Sequence, residues 1–249
     1  DPERFVVAEA DGELVGAAMA VLRDDVWYLA GLHVLPPWQA AGVGSELLRR
    51  STAGVRPTTV RTVLTDAGNP ASNGLYLRHG VLPADSTLTF DGAIASAPSR
   101  ELVDVRHLIA RPIDPVADAA ALARLDRATV GFSRPTDHAF WQGVPGLEAR
   151  ILERDGAVRG YLYVSAAGAI GPVAVADHAD MGDALDAAAR IAADHGATTL
   201  HLHVFGSGHA AIAWANARRL RLAGIGLFLA SHPVGRFAGY VTSGADALY

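Results

Sequence analysis

The first third of the chain contains three apolar runs separated by turn signals. Residues 4–10 and 14–22 are rich in β-prone residues, and Asp11-Gly12-Glu13 between them is typical of a hairpin turn. A third run, from Val26 to Val34, ends just before Pro36-Pro37, where proline removes the N–H donors that a strand needs. The pattern predicts three consecutive strands, of which the first two form a hairpin.

A glycine-containing loop and a helix are predicted next. The loop, Gln39 to Gly44, precedes residues 45–50, which have helix-forming composition. Residues 59–65 form another β-prone run. Asn69 to His79 is a predicted helix, and Gly80 follows it in a position that favours a left-handed backbone.

The second half of the chain repeats landmarks of the first in the same order. At nearly one offset, the matched landmarks are Asp11-Gly12 and Asp155-Gly156, Val34 and Val175, and Gly80 and Gly224. Common turns recur by chance, but three ordered matches favour duplication of one unit. The second half also has two predicted helices of its own, at 183–194 and 210–222, and a predicted strand at 198–204.

The two predicted units differ at their front ends. Residues 114–142 form a predicted helical region, starting at Asp114-Pro115, for which the first half has no counterpart. The stretch from Asp91 to Arg100 is rich in Ala, Ser, Gly and Pro, as linkers are. We therefore predict domains at 1–95 and 96–249, and we expect the front of the first one to be missing.

Composition removes several kinds of chemistry. Half of the 249 residues are hydrophobic, so the chain can bury a core, and all 21 basic residues are arginine. Without lysine there is no Schiff-base catalysis and no phosphate-loop lysine. Without cysteine there is no disulfide, no thiolate nucleophile and no cysteine zinc cluster.

Charge and hydropathy indicate the environment. The net charge is −5 and no basic run occurs, which argues against nucleic acid as a partner. No apolar run reaches the ~18–20 residues that span a bilayer, so we expect no membrane contact and a cytoplasmic location.

The Gln39 to Ser45 loop is suited to an anion. Between a strand and a helix, its backbone N–H groups and the helix N-terminus both favour negative charge. The spacing excludes the dinucleotide-binding Gly-x-Gly-x-x-Gly pattern, because Leu47 stands where the third glycine belongs. A plain tight turn is the alternative.

Two motifs in this half resemble those of the GNAT superfamily of N-acyltransferases. Gln39-x-x-Gly42-x-Gly44 after Leu32 to Pro36 resembles the acyl-CoA-binding motif, and Asn69 to Gly80 resembles a second motif of the family. The resemblance covers residues 4–90. It implies an α/β (α+β) fold with two tandem GNAT-like domains, each a mixed, mainly antiparallel twisted sheet flanked by helices. It also implies acetyl-CoA as co-substrate and a small-molecule or peptide amine as acceptor.

The resemblance assigns roles to individual residues. Tyr76 matches the tyrosine that protonates the leaving sulfur, although a half-buried structural tyrosine is the alternative. Asn69 matches a pantetheine-contacting asparagine, although it can equally cap the helix. The expected cofactor-binding residues are Leu32, His33, Val34, Gln39, Ala40, Ala41, Gly42, Val43, Gly44, Ser45, Asn69, Ser72 and Tyr76.

The general base is left open between two residues. Tyr28 and His33 lie on a strand from which similar enzymes often draw a base. Being five apart, they face opposite sides of a regular strand, so at most one serves unless a bulge intervenes. A structural histidine is the alternative for His33. Because the chain has no cysteine, direct attack in a ternary complex is expected.

The second half departs from both motifs. Its loop, Ala176 to Gly182, has one glycine and two acidic residues that would repel a pyrophosphate. Leu220, four before Gly224, stands where the tyrosine belongs. His201 and His203 share a strand face, but no third ligand is apparent and no metal is expected.

We therefore predict an N-acetyltransferase that is active in its N-terminal half and acts as a monomer or homodimer. The alternative is a non-catalytic acyl-CoA sensor or scaffold. Such a protein would bind the cofactor equally well but would release no thiol.

Overall fold

The computed structural model describes residues 1–94 and 108–243. In the first part of the chain the elements are β1 (Phe5–Ala10), β2 (Glu13–Arg23), β3 (Val26–Val34), α1 (Val43–Ser51), β4 (Val60–Asp66), α2 (Pro70–Arg78) and β5 (Leu82–Ala93). In the second part they are β6 (Ile109–Pro112), α3 (Ala119–Thr129), α4 (Pro135–Gln142), β7 (Leu147–Arg154), β8 (Ala157–Ser165), β9 (Ala169–Val175), α5 (Met181–Asp194), β10 (Thr199–Phe205), α6 (His209–Ala217), β11 (Arg221–Ala230) and β12 (Tyr240–Thr242).

The described residues divide into two compact units. Among these residues, unit 1 contains Asp1–Ala84 and Gly226–Val234, and unit 2 contains the described residues of Asp85–Ile225 together with residues 235–243. The predicted boundary at residues 95 and 96 lies outside the described residues, as does most of the predicted linker. The prediction that this linker begins at Asp91 is wrong, because residues 91–93 belong to β5. Their pairing with β10 makes them part of the sheet although their composition is typical of a loop.

The sheet of unit 1 is mixed. β1, β2 and β3 are antiparallel neighbours, β3 and β4 are parallel, and residues 226–230 of β11 pair antiparallel with β4. Leu47 of α1 and Tyr76 of α2 join Trp27 and Leu29 of β3 in one buried apolar cluster. This packing fixes both helices on one face of the sheet.

A β-bulge interrupts β3. Met19 pairs with Gly31, but Ala20 pairs with Leu29, so Ala30 is an extra residue in the ladder. The extra residue changes which side chains share a face. It explains why the alternation predicted for a regular strand does not hold along β3.

The sheet of unit 2 runs in the order β5, β10, β12, β9, β8, β7, β6, counting residues 85–93 of β5. β9 and β10 pair directly only where Ala169 and Ile170 meet His201 and Leu202. Beyond that point β12 lies between them, and its Val241 pairs with both neighbours. The expected mixed, mainly antiparallel sheets flanked by helices are thus confirmed.

The helix predicted to begin at Asp114-Pro115 begins later. α3 starts after Asp118, and the Asp114 carboxylate instead accepts hydrogen bonds from the N–H groups of Val116 and Ala117, 2.9 Å each. The carboxylate of Asp118 is held by Arg111 at 2.7 Å. These local bonds stabilise a turn ahead of the helix, and Val116 in that turn is 87% exposed.

Two of the three repeated landmarks occupy matching positions. Asp11 and Asp155 both have φ 52°, each followed by a glycine with positive φ in a hairpin turn, and Val34 and Val175 both end strands. The third match is wrong. Gly224 lies inside β11, because α6 ends at Ala217 and the left-handed residue after it is Arg219.

The described residues include no helix that is both long and apolar enough to cross a membrane.

Candidate functional site

A groove of about 600 Å³ opens in unit 1 where β3 and β4 stop pairing. The parallel ladder between β3 and β4 ends at Leu29 and Val63. Beyond that point, the last residues of β3 pair with β2 on one side and with no other strand of the described residues. The groove is lined by residues of β3, the glycine loop and α2, namely Leu32, His33, Val34, Gln39, Ala40, Gly42, Gly44, Ser45, Asn69, Pro70, Ala71, Ser72, Leu75 and Arg78. A strand edge and a helix N-terminus therefore face one cavity.

The glycine loop presents free backbone amides to this groove. Gly42 caps α1 with φ +87°, a conformation that glycine adopts without a Cβ penalty. The amides of Val43, Gly44 and Ser45, in the first turn of α1, have no acceptor among the described residues. Together with the helix dipole they form a site suited to a phosphate group.

Gln39 ties the loop to the end of β3. Its side-chain Nε2 donates to the carbonyl of Val34 at 3.0 Å. A Cβ on Gly44 would lie 3.4 Å from Cδ2 of Leu75, an ordinary van der Waals contact. Of the two motif glycines, Gly42 is therefore the one whose backbone conformation favours glycine.

Asn69 caps α2, which was the structural alternative for this residue. Its Oδ1 accepts a hydrogen bond from the N–H of Ser72 at 3.1 Å, and Pro70 occupies the first helical turn. Asn69 and Ser72 also line the groove, as expected of cofactor-binding residues.

Sequence reasoning missed Arg78. This residue lies in the last turn of α2 and is one of the residues that line the groove. The available signal was spacing, because Arg78 lies three residues after Leu75 and seven after Ala71, on one face of α2. A cation beside free amides strengthens the attraction for an anion.

Four predicted residues do not line the groove. Ala41 and Val43 line a neighbouring cavity with Glu46, while Tyr28 and Tyr76 are buried, 3% and 5% exposed. Burial raises the pKa of Tyr76 to about 12, so its hydroxyl stays protonated at neutral pH.

The bulge changes the assignment of the candidate bases. Tyr28 pairs with Val21 and His33 pairs with Ala17, and the extra residue between them puts both on one face of β3. A Cβ on Gly31 would lie 3.3 Å from Nε2 of His33, so the imidazole lies over Gly31. Of the two candidates, His33 reaches the groove.

The acidic residue next to the amides is compensated. The carboxylate of Glu46, in α1, accepts hydrogen bonds from Arg49 and Arg50 at 2.6–2.8 Å, which lower its pKa to about 2. The two guanidinium groups thus compensate the negative charge of Glu46, which reduces its repulsion of an anion bound in the groove.

Unit 2 has no open counterpart of this groove in its described residues. β12 fills the space between β9 and β10, where β3 and β4 separate in unit 1. In the corresponding loop, Asp180 is buried and bound by Arg154 at 2.7 Å and Arg159 at 2.9 Å, so it is not the free repelling anion that we predicted.

The position that matches Tyr76 is Ala215, not Leu220. The N–H of Val81 donates to the carbonyl of Tyr76, and the N–H of Leu220 donates to the carbonyl of Ala215 in the same turn. Unit 2 therefore lacks the tyrosine, as predicted, but at a different residue, because α6 ends earlier than its sequence pattern indicates.

Solved structures with the same fold include acetyltransferases. A putative acetyltransferase from Pyrococcus horikoshii has a TM-score of 0.73 at 17% identity, covering 100% of this chain and 81% of that one. A GCN5-related N-acetyltransferase from Sphaerobacter thermophilus has a TM-score of 0.66 at 16% identity, covering 95% and 83%. A tandem GNAT protein from the clavulanic acid biosynthesis pathway has a TM-score of 0.59 at 17% identity, covering 91% and 82%. The fold is thus that of GNAT proteins, including tandem ones.

Sequence comparison identifies the family of the first part of the chain. Residues 1–81 match the model of the acetyltransferase (GNAT) family. A curated relative, aminoglycoside N(6')-acetyltransferase type 1 from Stenotrophomonas maltophilia, is 38% identical over 72 residues, covering 25% of this chain and 47% of that protein. The chain thus spans about half of this relative. Residues 1–81 are thus the part of the chain that is similar in sequence to the GNAT family.

Proposed function

We propose that unit 1 binds acetyl-CoA in the groove and transfers its acetyl group to a primary amine. The observation that carries this proposal is the meeting of free α1 amides with the separated end of β3 in one groove. The amides of Gly44 and Ser45 and the positive charge of Arg78 suit phosphate groups. The unpaired edge at Leu32 to Val34 suits the amides of the pantetheine arm.

Direct transfer suits the chemistry of this chain. The thioester of acetyl-CoA supplies an activated acyl group, and the amine nitrogen bonds to its carbonyl carbon as the carbon–sulfur bond breaks. Tyr76, which is protonated at neutral pH, is the proposed proton donor to the leaving sulfur. His33 is the proposed residue that receives the amine proton, directly or through water.

A small-molecule amine is the proposed acceptor. The curated relative, which is 38% identical over 72 residues, acts, by its name, on an aminoglycoside. A peptide amine is the other acceptor to test. We propose that the protein acts in the cytoplasm.

We also propose a division of labour between two copies of one unit, with the boundary near residue 95. In this proposal the second copy binds no acyl-CoA, for two reasons. β12 lies between β9 and β10, where the cofactor cleft would be, and the buried Asp180 is bound by Arg154 and Arg159 in the loop that corresponds to the phosphate site. One acetyl-CoA per chain is the expected stoichiometry. Isothermal titration calorimetry measures it together with affinity.

Replacing Ser45 with glutamate tests the phosphate site. Glutamate is well tolerated in the first turn of a helix, but its carboxylate would face the phosphates of the cofactor. We expect Ser45→Glu to weaken acetyl-CoA binding about tenfold or more, because like charges repel. Calorimetric titration provides the measurement.

Two variants serve as controls for this test. Thr58→Glu adds the same charge at the exposed start of β4, at the opposite end of the strands from the groove, and Ser45→Ala removes the hydroxyl alone. Equal acetyl-CoA affinity in Ser45→Glu and Thr58→Glu would contradict the proposed site.

A second candidate is acyl-CoA binding without catalysis. The burial of Tyr76 outside the groove lining favours it. A thiol-release assay of acetyl-CoA against aminoglycosides, other amines and peptide N-termini separates the two. Binding without thiol release from any acceptor would support the sensor and overturn the enzyme.

A further inference from the structure

Two histidines of β10 lie side by side on a partly exposed face of unit 2. His201 and His203 are two positions apart in the strand, so their side chains leave the same face. Their Nε2 atoms are hydrogen-bonded to each other at 2.8 Å, one donating and the other accepting, and the two rings are inclined at 74°. The side chain of His201 is 45% exposed, which gives solvent access to the pair.

The other nitrogen of each ring, Nδ1, is hydrogen-bonded to a residue of the neighbouring strand β5. Nδ1 of His201 is hydrogen-bonded to the carboxylate of Asp91, and Nδ1 of His203 lies 2.9 Å from the hydroxyl oxygen of Thr89. The strand register pairs the same residues, Asp91 with His201 and Thr89 with His203. Both rings are thus oriented through Nδ1, and their Nε2 atoms face each other, so an ion bound by both would replace the hydrogen bond between them.

Metal-binding histidines have this arrangement. When one ring nitrogen ligates an ion, the other N–H is usually held by a carboxylate or another oxygen, which orients the ring and raises its basicity. Two imidazole nitrogens at about 2.0–2.1 Å from one ion, and at right angles around it, lie about 2.9 Å apart. The observed 2.8 Å fits two neighbouring ligands of an octahedral or square-planar ion.

We propose that His201 and His203 bind a divalent transition-metal ion, with Ni²⁺ and Cu²⁺ favoured over tetrahedral Zn²⁺. Each bound imidazole is neutral and carries its proton on Nδ1, toward Asp91 or Thr89. Water completes the coordination shell, since no cluster of three or more His, Asp or Glu side chains in residues 1–94 and 108–243 is arranged to hold a metal. Asp91 and Thr89 are positioning residues.

The nearby charge permits a cation. Arg221 is the opposing group, with a guanidinium nitrogen 3.9 Å from the second carboxylate oxygen of Asp91. Its side chain is 78% exposed, so solvent and salt screen it from the histidines. The carboxylate of Asp91 faces His201 and offsets the charge of the ion.

Calorimetric titration of Ni²⁺ into the full, tag-free, chelator-treated chain tests the site. We expect one ion per chain, and loss of binding in His201→Gln and in His203→Gln. Asp91→Asn should weaken binding about 10–100-fold, the usual effect of removing such a partner. His178→Gln, which removes an exposed histidine of the same unit, should leave the affinity unchanged.

Thermal melts without metal show whether each variant is folded. Electron paramagnetic resonance of the Cu²⁺-loaded wild-type chain needs no variant, and two coordinated imidazole nitrogens are expected. Absence of binding, fewer than two nitrogens, or equal effects of His178→Gln and His201→Gln would overturn the proposal. Zn²⁺ binding more tightly than Ni²⁺ would overturn the geometric preference. None of these readouts depends on acetyl transfer.

Discussion

At the scale of single residues, the hydroxyl of Tyr76 is the group that the proposed acyl transfer requires and that acyl-CoA binding alone does not. Its ring packs with Trp27 and Leu29 in the core of unit 1, so replacing it with phenylalanine keeps the packing. Burial raises its pKa to about 12, which keeps the proton available to a leaving thiolate. The hydroxyl can therefore be removed with little change elsewhere.

We predict that Tyr76→Phe lowers kcat by roughly 100-fold or more, the usual contribution of a general acid, while acetyl-CoA affinity stays near normal. Steady-state kinetics with calorimetry measures both quantities. Tyr163→Phe removes a tyrosine hydroxyl from unit 2 and is the matched control. If both variants turn over at the wild-type rate, Tyr76 is not the acid.

Local signals explain which residues of the site could be predicted. Gly42 and Asn69 were predicted from their places in the two sequence motifs, and the structure adds a left-handed cap at Gly42 and a helix N-cap at Asn69. Arg78 was missed because a basic residue in the last turn of a helix is ordinary by itself. The common face of Tyr28 and His33 follows from the bulge at Ala30, for which the sequence has no signal.

At the scale of elements, the sequence predicted what is local and missed what is remote. β3 matches its predicted bounds, Val26 to Val34, because an apolar run stops at prolines. The pairing of β4 with residues 226–230 depends on chain that is distant in sequence, and no local pattern encodes it. β12 has only three residues, too few for a periodic signal, yet it fills the cleft of unit 2.

A buried ionic cluster joins four elements of unit 2. Arg134, at the start of α4, donates to Asp126 of α3 at 2.9 Å, to Tyr161 of β8 at 2.7 Å and to Tyr240 of β12 at 2.8 Å. Burial raises the pKa of Asp126, but Arg134 and a hydrogen bond from His138 outweigh it and lower the pKa to about 2. The folded-state value is thus below the ordinary 3.8, so this contribution to stability is present above pH 3.8 and is lost as the pH falls toward 2.

We predict that Arg134→Met lowers the free energy of unfolding by about 3–5 kcal/mol, because it leaves the carboxylate of Asp126 buried without its partner. The double variant Asp126→Asn/Arg134→Met should lose less than the sum of the two single variants. Urea unfolding at neutral pH measures all three. Additive losses would show that the two residues are not coupled.

At the scale of the whole molecule, the absence of lysine and cysteine simplifies alkaline titration. Arginine stays protonated, so tyrosine is the side chain that titrates between pH 10 and 12. Burial raises the pKa of Tyr76 and Tyr240 to about 12, and it also raises the pKa of Tyr161 and Tyr163. Four of the six tyrosines therefore resist ionisation in the folded chain.

The sign of the resulting pH dependence follows from proton counts. Above pH 10, the ordinary tyrosine value, the unfolded chain loses protons that the folded chain retains, so stability falls as the pH rises toward 12. We predict that the free energy of unfolding, measured in urea at stepped pH from pH 8 upward, is steady up to pH 10 and declines above it. Tyr76→Phe and Tyr240→Phe, which remove one such group each, should each make the decline shallower. A wild-type stability that stays constant up to pH 12, or an unchanged slope in both variants, would contradict this account.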